Sequence, residues 1–416
     1  MDNSRTIHKL LTVILAGGAG KRLWPLTRDR AKPAVPFGGG YRIIDFTLSN
    51  CFNSGIRKIL LLTQYKTMSL DRHIAMGWSP LFCRPGGEFI DVLPPQQRIG
   101  ADWYQGTANA VYQNIYALEM ESPAHILILA GDHIYRMDYG RLFERHLAAD
   151  ADLTIGAISV PAEEARLRLG VLEADESGRV IGFEEKPRTP RTIPGDRGQA
   201  LASMGIYVFK ADFLFETLCR DATNVGSRHD FGGNIIPRLL KSDRVFSCTF
   251  ASDGDDALYW RDVGTIESYY EANMDLISVS PALNLYDRRW PIYTCHPHDP
   301  PAKFVFAEER RRGEALNSIV SPGTIVSGGS VRHSVLGPRV VIDSCAEVED
   351  SILLGDVVIG SGARIRRAIL DKGAVIAAGE RIGFDKENDR RRGCIVTENQ
   401  ITVVPAPGRG EYDSPT

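Results

Sequence analysis

The sequence predicts two structural parts, an α/β domain on a parallel-type sheet and, after it, a parallel β-helix. Two periodicities and the stretch between them carry that expectation. From residue 11 to about 275, apolar strands at 11–15, 58–63, 125–130, 153–160, 205–209 and 245–250 alternate with helical patterns such as Ala108–Glu121 and Tyr139–Ala149. Such alternation argues a parallel-type sheet covered by helices. From about residue 315 the period becomes six. Val340, Ala346, Ile352, Val358, Arg364, Leu370, Ile376 and Ile382 form a column that only Arg364 breaks, while Ile342, Val348 and Leu354 start a second. Ile319, Ile325 and Val331 keep the same spacing earlier. A six-residue apolar period with small residues between marks a parallel β-helix, whose rungs bury their inward side chains on one another. The stretch between, 281–313, is rich in proline and aromatics and runs into the charged segment EERRRGE. It reads as a connector, its charges solvated. The expected division is 1–280, a connector over 281–313, and a β-helix with a C-terminal tail over 314–416.

The first strand, Leu11–Leu15, leads into Gly17, Gly18 and Gly20, then Lys21, Arg22 and Lys32. Glycines let the backbone turn sharply and present N–H groups to an anion, and the cations supply full charge, so the loop is built to hold a nucleotide's phosphates. Two better-known phosphate loops are excluded. A P-loop ending at Gly20 needs glycine where Leu15 stands and Ser or Thr where Arg22 stands. The dinucleotide fingerprint from Gly18 and Gly20 needs a third small residue where Leu23 stands. The pattern LxxGxGxRLxPLT…KPAxP instead resembles the signature of sugar-nucleotide pyrophosphorylases.

Composition narrows the partners. The 416 residues allow two or three domains, and 49 basic against 52 acidic residues give a net charge of −3. No basic stripe interleaved with aromatics invites nucleic acid, so small molecules are the expected partners. Apolar runs such as Leu10–Ala16 and Ile126–Ala130 fall far short of the roughly 18 residues of a membrane span. The N-terminal segment runs into a strand without a signal-peptide core, and a cytoplasmic protein is expected. Seven cysteines are scattered without a CxxC pair, and nine histidines show no metal spacing. Reduced structural thiols follow.

Asp132 directly follows the apolar strand 125–130 and its Gly131, at the sheet edge where α/β proteins bind ligands. Asp262, in YWRDVGT, offers a second carboxylate. Two carboxylates plus nucleotide phosphates suffice for Mg²⁺, which keeps several waters besides. Lys186, in FEEKP, suits a substrate phosphate as a point charge. His133 beside Asp132 reads as a structural neighbour rather than a base.

These residues stand among YRIIDFTLSNCFNSGI (41–56), DVLPPQQR (91–98), WYQGTANAVYQN (103–114), LAGDHIYRMDY (129–139), ASMGIYVF (202–209), DFGGNIIP (230–237) and YWRDVGTIESYYEAN (259–273). Together they resemble the bacterial glucose-1-phosphate adenylyltransferases over roughly residues 10–400. The resemblance implies a Rossmann-like nucleotidyltransferase domain followed by a left-handed β-helix of hexapeptide repeats. It implies that the loop at Leu15, Ala16, Gly17, Gly18 and Gly20 wraps the ATP phosphates and that Gln97 reads the adenine edge. Arg22 and Lys32 would steady the departing pyrophosphate, and Asp132 and Asp262 would hold Mg²⁺. Tyr104, Gly170, Glu185, Lys186 and Ser203 would contact glucose 1-phosphate. Gln64 and Trp103 match positions that couple regulatory and substrate sites. Arg30 and Arg42, with Asp356 and Lys372 on the β-helix, are candidates for an anionic effector site. A homotetramer, allosteric control and a role in glycogen synthesis complete the expectation.

The chain departs from the family's pattern in places. Asn109 stands where Asp is usual, and Leu169 where Phe is usual. Asp29 and Pro36 replace a Lys and a His found in fructose-1,6-bisphosphate-activated members, and an acidic residue argues against that phosphate contact. Three other readings are open to the sequence: a pyrophosphorylase for another nucleotide or sugar, a non-catalytic regulatory subunit, and a hexapeptide acyltransferase. The YRIIDF, WYQGTANA and YWRDVGT set speaks against the first. Retention of Arg22, Lys32, Asp132 and Lys186 speaks against the second, and the third would have to rely on His333.

Overall fold

The computed structural model describes residues 7, 10–82, 86–95, 103–241, 243–250, 259–308 and 311–408. Leu11 and Val13 face one core and Ile14 the opposite one, which is how a strand covered on both faces must read. This strand, β1 (Leu11–Leu15), has parallel neighbours on both sides. The sheet also contains β2 (Lys58–Leu62), β3 (Phe89–Leu93), β4 (His125–Ala130), β5 (Leu153–Pro161), β6 (Gln199–Lys210) and β7 (Val245–Thr249). Their spatial order is β3-β2-β1-β4-β6-β5-β7. A hairpin of Gly170–Ala174 and Val180–Glu185 hangs from β6.

Two expectations need correction. The sheet is mixed, because β6 runs antiparallel to both β4 and β5; apolar alternation reports burial on two faces and is silent on strand direction. The helical pattern at Ala108–Glu121 is two short helices, Thr107–Tyr112 and Ile115–Met120. At the break, buried Asn114 turns its side-chain amide to the Ala110 carbonyl (2.8 Å) and the Tyr104 hydroxyl (2.9 Å).

The C-terminal part is a left-handed parallel β-helix of three sheets. Val341 pairs with Val358 and Val358 with Val375, a turn of 17 residues. The strict six-residue column therefore slips by one position each turn. Val340, Ala346 and Ile352 are buried, Val358 is half-buried, and Arg364 emerges to pair with Glu347 one rung away at 2.7 Å. The inward columns are Ile342–Ile359–Ile376, Val331–Val348–Ile365–Ile382 and Leu336–Leu353–Leu370. Lys303–Val305, inside the expected connector, already pairs with Ile325–Ser327 in the first sheet.

One β-helix face lies on the α/β domain. Tyr269 and Tyr270, from a helix over Ile266–Asp275, share a core with Val335, Ile352, Ile369 and Val403. Tyr270 also donates to the Asp350 carbonyl at 2.6 Å, and Arg30 pairs with Asp371 at 2.9 Å. Among the described residues no helix is long and apolar enough to cross a membrane.

Candidate active site

Sheet register brings the two aspartates together. The strand His133–Tyr135 follows Asp132 and pairs antiparallel with Trp260–Asp262, so that His133 stands opposite Asp262. Lys32, from a short turn after the glycine loop, reaches between them. Its Nζ donates to Asp132 Oδ2 at 2.9 Å and to Asp262 Oδ1 at 3.1 Å, with 7% of the side chain exposed. The glycine loop packs on this lysine. Gly20 has φ +61, a left-handed conformation open to glycine, and a Cβ there would stand 2.8 Å from Thr27 Cγ2 and 3.2 Å from Lys32 Cβ. The Arg22 guanidinium lies against Gly264, beside the Asp262 carboxylate.

The charges of this cluster depend on one another. Burial pulls the Lys32 ammonium down, but the two carboxylates pull harder, and its pKa ends raised. Burial pushes Asp132 up while Lys32 and His133 bring it down to about 2, and Asp262 is likewise lowered. All three stay charged at any working pH. Lys32 takes one oxygen of each carboxylate, and the remaining oxygens are hard donors of the kind a divalent cation such as Mg²⁺ takes. Among the described residues no three His, Cys, Asp or Glu side chains gather to hold a metal. The remaining ligands would be phosphate oxygens and water.

Next to the cluster opens a cavity of about 430 Å³ lined by Leu15, Gly17, Gly18, Lys32, Tyr104 and Asp132 among others. Its floor is the carboxyl ends of β1, β2 and β4. Gln64 closes the side of Gly17 and donates to the Tyr104 carbonyl at 3.3 Å. A larger cavity of about 530 Å³ lies at the opposite end of the sheet. Its lysine, Lys210, is already tied to Asp150 and Asp152 at 2.9 and 3.1 Å, so it offers no free cation to a phosphate.

A second cluster forms where the hairpin meets β6. Gly170 and Gly232 press on the Glu185 carboxylate, and a Cβ on either would stand within 2.9 Å of Glu185 Oε2. Lys186 Nζ pairs with Glu185 at 2.9 Å. Lys186 itself is held at φ +50, a strained setting for a lysine, with its N–H on the Leu169 carbonyl at 3.1 Å. Ser203 is buried on β6, and the nearby Tyr207 hydroxyl has its pKa raised by burial, with Glu185 and Asp230 adding to the effect.

Models of two families match the chain. One described as nucleotidyl transferase covers residues 11–279, and one described as GlmU-like, C-terminal hexapeptide covers residues 300–404. The glucose-1-phosphate adenylyltransferase of Rhodopirellula baltica is 57% identical over 410 residues, 97% of this chain and 91% of the relative. That of Koribacter versatilis is 52% identical over 95% of this chain and 94% of the relative. That of Saccharophagus degradans is 49% identical over 100% and 98%. The chain belongs to the glucose-1-phosphate adenylyltransferase family.

Against the expectations drawn from that family, Leu15, Gly17, Gly18, Lys32, Tyr104 and Asp132 line one cavity, with Arg22 and Asp262 beside it. Ala16 is buried, its N–H on the Leu62 carbonyl at 2.9 Å. Gly170, Glu185, Lys186 and Ser203 gather in the second cluster. Gln97 lies outside the described residues. Trp103 stacks on Tyr65 with ring centroids 6.2 Å apart, beside Gln64. Arg30 is bound to buried Asp371, and Arg42 is half-buried with its guanidinium on the Ser69 carbonyl at 2.7 Å. Asp356 and Lys372 pair at 3.3 Å, with Arg339 on the same carboxylate.

The sequence reading missed Asp230, Thr107 and Trp260. Asp230 lines the cavity and accepts from the Thr107 hydroxyl at 2.9 Å. The motifs DFGGN and GTAN contained the signal, but nothing in their spacing says that they meet. Trp260 Nε1 and His133 Nδ1 are buried without a partner among the described residues, and their rings pack edge to face at 5.1 Å. Unpaired buried polar atoms beside such a carboxylate pair are what a bound ligand would satisfy.

Proposed function

We propose that this chain transfers the adenylyl group of ATP to glucose 1-phosphate, giving ADP-glucose and pyrophosphate, with Mg²⁺ held by Asp132 and Asp262. The observation that carries the reading is the Lys32 bridge between two carboxylates at the mouth of the glycine-loop cavity. Glucose 1-phosphate is mostly dianionic near neutral pH, because a phosphate monoester's second pKa is about 6. Its oxygen attacks the α-phosphorus of ATP, the bond from that phosphorus to the β-phosphate oxygen breaks, and pyrophosphate leaves with the electron pair. No general base is needed.

The barrier is repulsion between anions, and this chain's residues lower it by position and charge. The backbone at Gly17, Gly18 and Gly20 holds the ATP phosphates, while Leu15 and Ala16 seat the loop on the sheet, the Ala16 N–H being on the Leu62 carbonyl. Lys32, kept protonated by its carboxylates, and Arg22 stabilise the leaving pyrophosphate. Glu185, Lys186 and Ser203 fix the sugar phosphate, with Tyr104 and Gly170 shaping the wall, and Gln97 reads adenine. The Mg²⁺ adds charge neutralisation on the phosphate oxygens. Regulation by small-molecule effectors at Arg30, Arg42, Asp356 and Lys372, coupled through Gln64 and Trp103, belongs to the same reading. So do a homotetramer, a cytoplasmic location and a place in glycogen synthesis.

The test is pyrophosphate release from glucose 1-phosphate with Mg²⁺ and each of ATP, UTP, GTP and dTTP, for wild type and Asp132→Ala. ATP preference that collapses in the variant is the expected result. A different preferred nucleotide would overturn the adenine assignment, and silence with all four would overturn catalysis.

A further inference from the structure

A helix over Ile43–Asn53, here α1, carries polar side chains on a face that is buried against other protein. Asp45, Ser49 and Asn50 are all 0% exposed, and Asn53 is half-buried. Positions 45, 49 and 53, with 50 between, lie on one side of a helix. The connector runs along that side in the opposite direction. Trp290 Nε1 donates to Asn50 Oδ1 at 2.9 Å, and Asn53 Nδ2 donates to the Pro291 carbonyl at 2.9 Å. The Tyr293 N–H donates to Ser49 Oγ at 2.8 Å, and Thr294 Oγ1 donates to Asp45 Oδ2 at 2.6 Å. The stretch read as a connector is strapped to the α/β domain by four side chains in sequence.

Asn50 alone of these four also reaches the strand that follows Asp132. Its Nδ2 donates to the Tyr135 carbonyl at 3.1 Å, and its Oδ1 accepts from the Met137 N–H at 3.2 Å. Tyr135 ends the strand whose partner ends in Asp262. The neighbouring Arg136 pairs with Asp287 of the connector at 2.7 Å and lies 5.8 Å from the Trp290 ring centroid. The segment that positions both carboxylates is therefore hung from the connector that leads into the β-helix.

We infer that Asn50 is a positioning residue for the Asp132–Asp262 pair, and that Trp290 transmits the connector's position to it. The inference rests on the proposed role of that pair in holding Mg²⁺. Movement of the β-helix against the α/β domain would then reach the metal site through the Asn50 amide, alongside the Arg136–Asp287 pair.

The test compares wild type, Trp290→Phe, which removes one N–H donor, and Asn53→Ala, which loosens the same strap without touching residues 132–137. Asn50→Ser serves as a second probe of the link. Two readings are taken: the Mg²⁺ concentration for half-maximal pyrophosphate release, and the Mg²⁺ concentration that raises the unfolding midpoint half-way. Loss of one hydrogen bond corresponds to about a three- to tenfold shift. Trp290→Phe and Asn50→Ser should need that much more Mg²⁺ in both readings, with KM for glucose 1-phosphate unchanged, while Asn53→Ala matches wild type. Equal shifts in Trp290→Phe and Asn53→Ala, or none in Trp290→Phe, would overturn the inference. Wild type that neither turns over nor gains stability with Mg²⁺ would instead overturn the function reading.

Discussion

Asp45 and the Asp132–Asp262 pair hold carboxylates in opposite ways, Asp45 fully buried and the pair's side chains 34% and 12% exposed. Asp45 accepts from the Arg42 N–H at 2.8 Å, Trp78 Nε1 at 2.8 Å and Thr294 Oγ1 at 2.6 Å, and lies 2.5 Å from His73 Nε2. Its oxygens are fully engaged by four residues from three segments. Asp132 and Asp262 divide one ammonium between them. A carboxylate with every oxygen bonded stitches segments together, whereas a pair that keeps carboxylate oxygens free of Lys32 at a cavity mouth is set to receive a cation from outside.

The largest expected effect separates the two directly. Asp262→Asn should lower kcat/KM for pyrophosphate release by about 10²–10³-fold. Its unfolding midpoint should fall only slightly, because the fold favours ionised Asp262 but Lys32 keeps Asp132 as a partner. A drop as large as that from losing a fully buried, fully bonded carboxylate would make the pair a structural cluster like Asp45 and break the contrast.

The contrast also explains what the sequence made legible. Asp132 follows an apolar strand and Asp262 sits in a distinctive motif, so their chemistry was readable as soon as the glycine loop suggested phosphates. Asp45 lies in YRIIDF, a stretch that spoke only through the family resemblance and assigned Asp45 no role, and its partners come from as far as Thr294, 249 residues away. Long-range hydrogen bonding of this kind leaves no period. The β-helix shows the complementary case: its apolar repeat was visible, but the one-residue slip per turn was not, because a single exposed Arg364 looks like a defect rather than a 17-residue turn. Strand direction in the sheet was hidden for the same reason that both faces of β6 are apolar.

The next effect falls on stability. Asp45→Ala leaves Trp78 Nε1, Thr294 Oγ1 and the Arg42 N–H without an acceptor, and should cost about 3 kcal/mol in urea unfolding. KM for glucose 1-phosphate should stay within a few-fold of wild type. Loss of activity without loss of stability would move Asp45 to the functional side of the comparison.

Arg30 and Asp371 test an intermediate case, one cation to one carboxylate across the two parts of the molecule. Their side chains are 11% and 3% exposed, and burial raises the Asp371 pKa although Arg30 pulls it down. Arg30→Met should destabilise by about 2 kcal/mol by leaving the buried carboxylate with the Lys372 N–H but without its cation, and the double variant with Asp371→Leu should recover most of it. Calorimetric unfolding of both variants checks this. Failure of the double variant to recover would show that Arg30 has a role besides the pair.

The smallest effect comes from a buried titratable group whose hydrogen-bond partners are neutral. His146 is 1% exposed, its Nε2 3.1 Å from His125 Nδ1 and its Nδ1 2.8 Å from Thr154 Oγ1. Burial first, then His125 and Lys210, lowers its pKa from 6.5 to about 3, and His125 is lowered as well. Below about pH 6.5 the unfolded chain takes up a proton that folded His146 refuses, so stability is complete above that pH and drains away as pH falls toward 3. Between pH 7.5 and 6 the single group accounts for just under about 1 kcal/mol. The slope of unfolding free energy over that interval should flatten in His146→Asn. It should persist in Asp262→Asn, because both aspartates titrate far below the interval. A slope untouched by His146→Asn would assign the acid sensitivity to other histidines and leave the Asp45 and Asp132–Asp262 contrast as the molecule's main division between structural and functional burial.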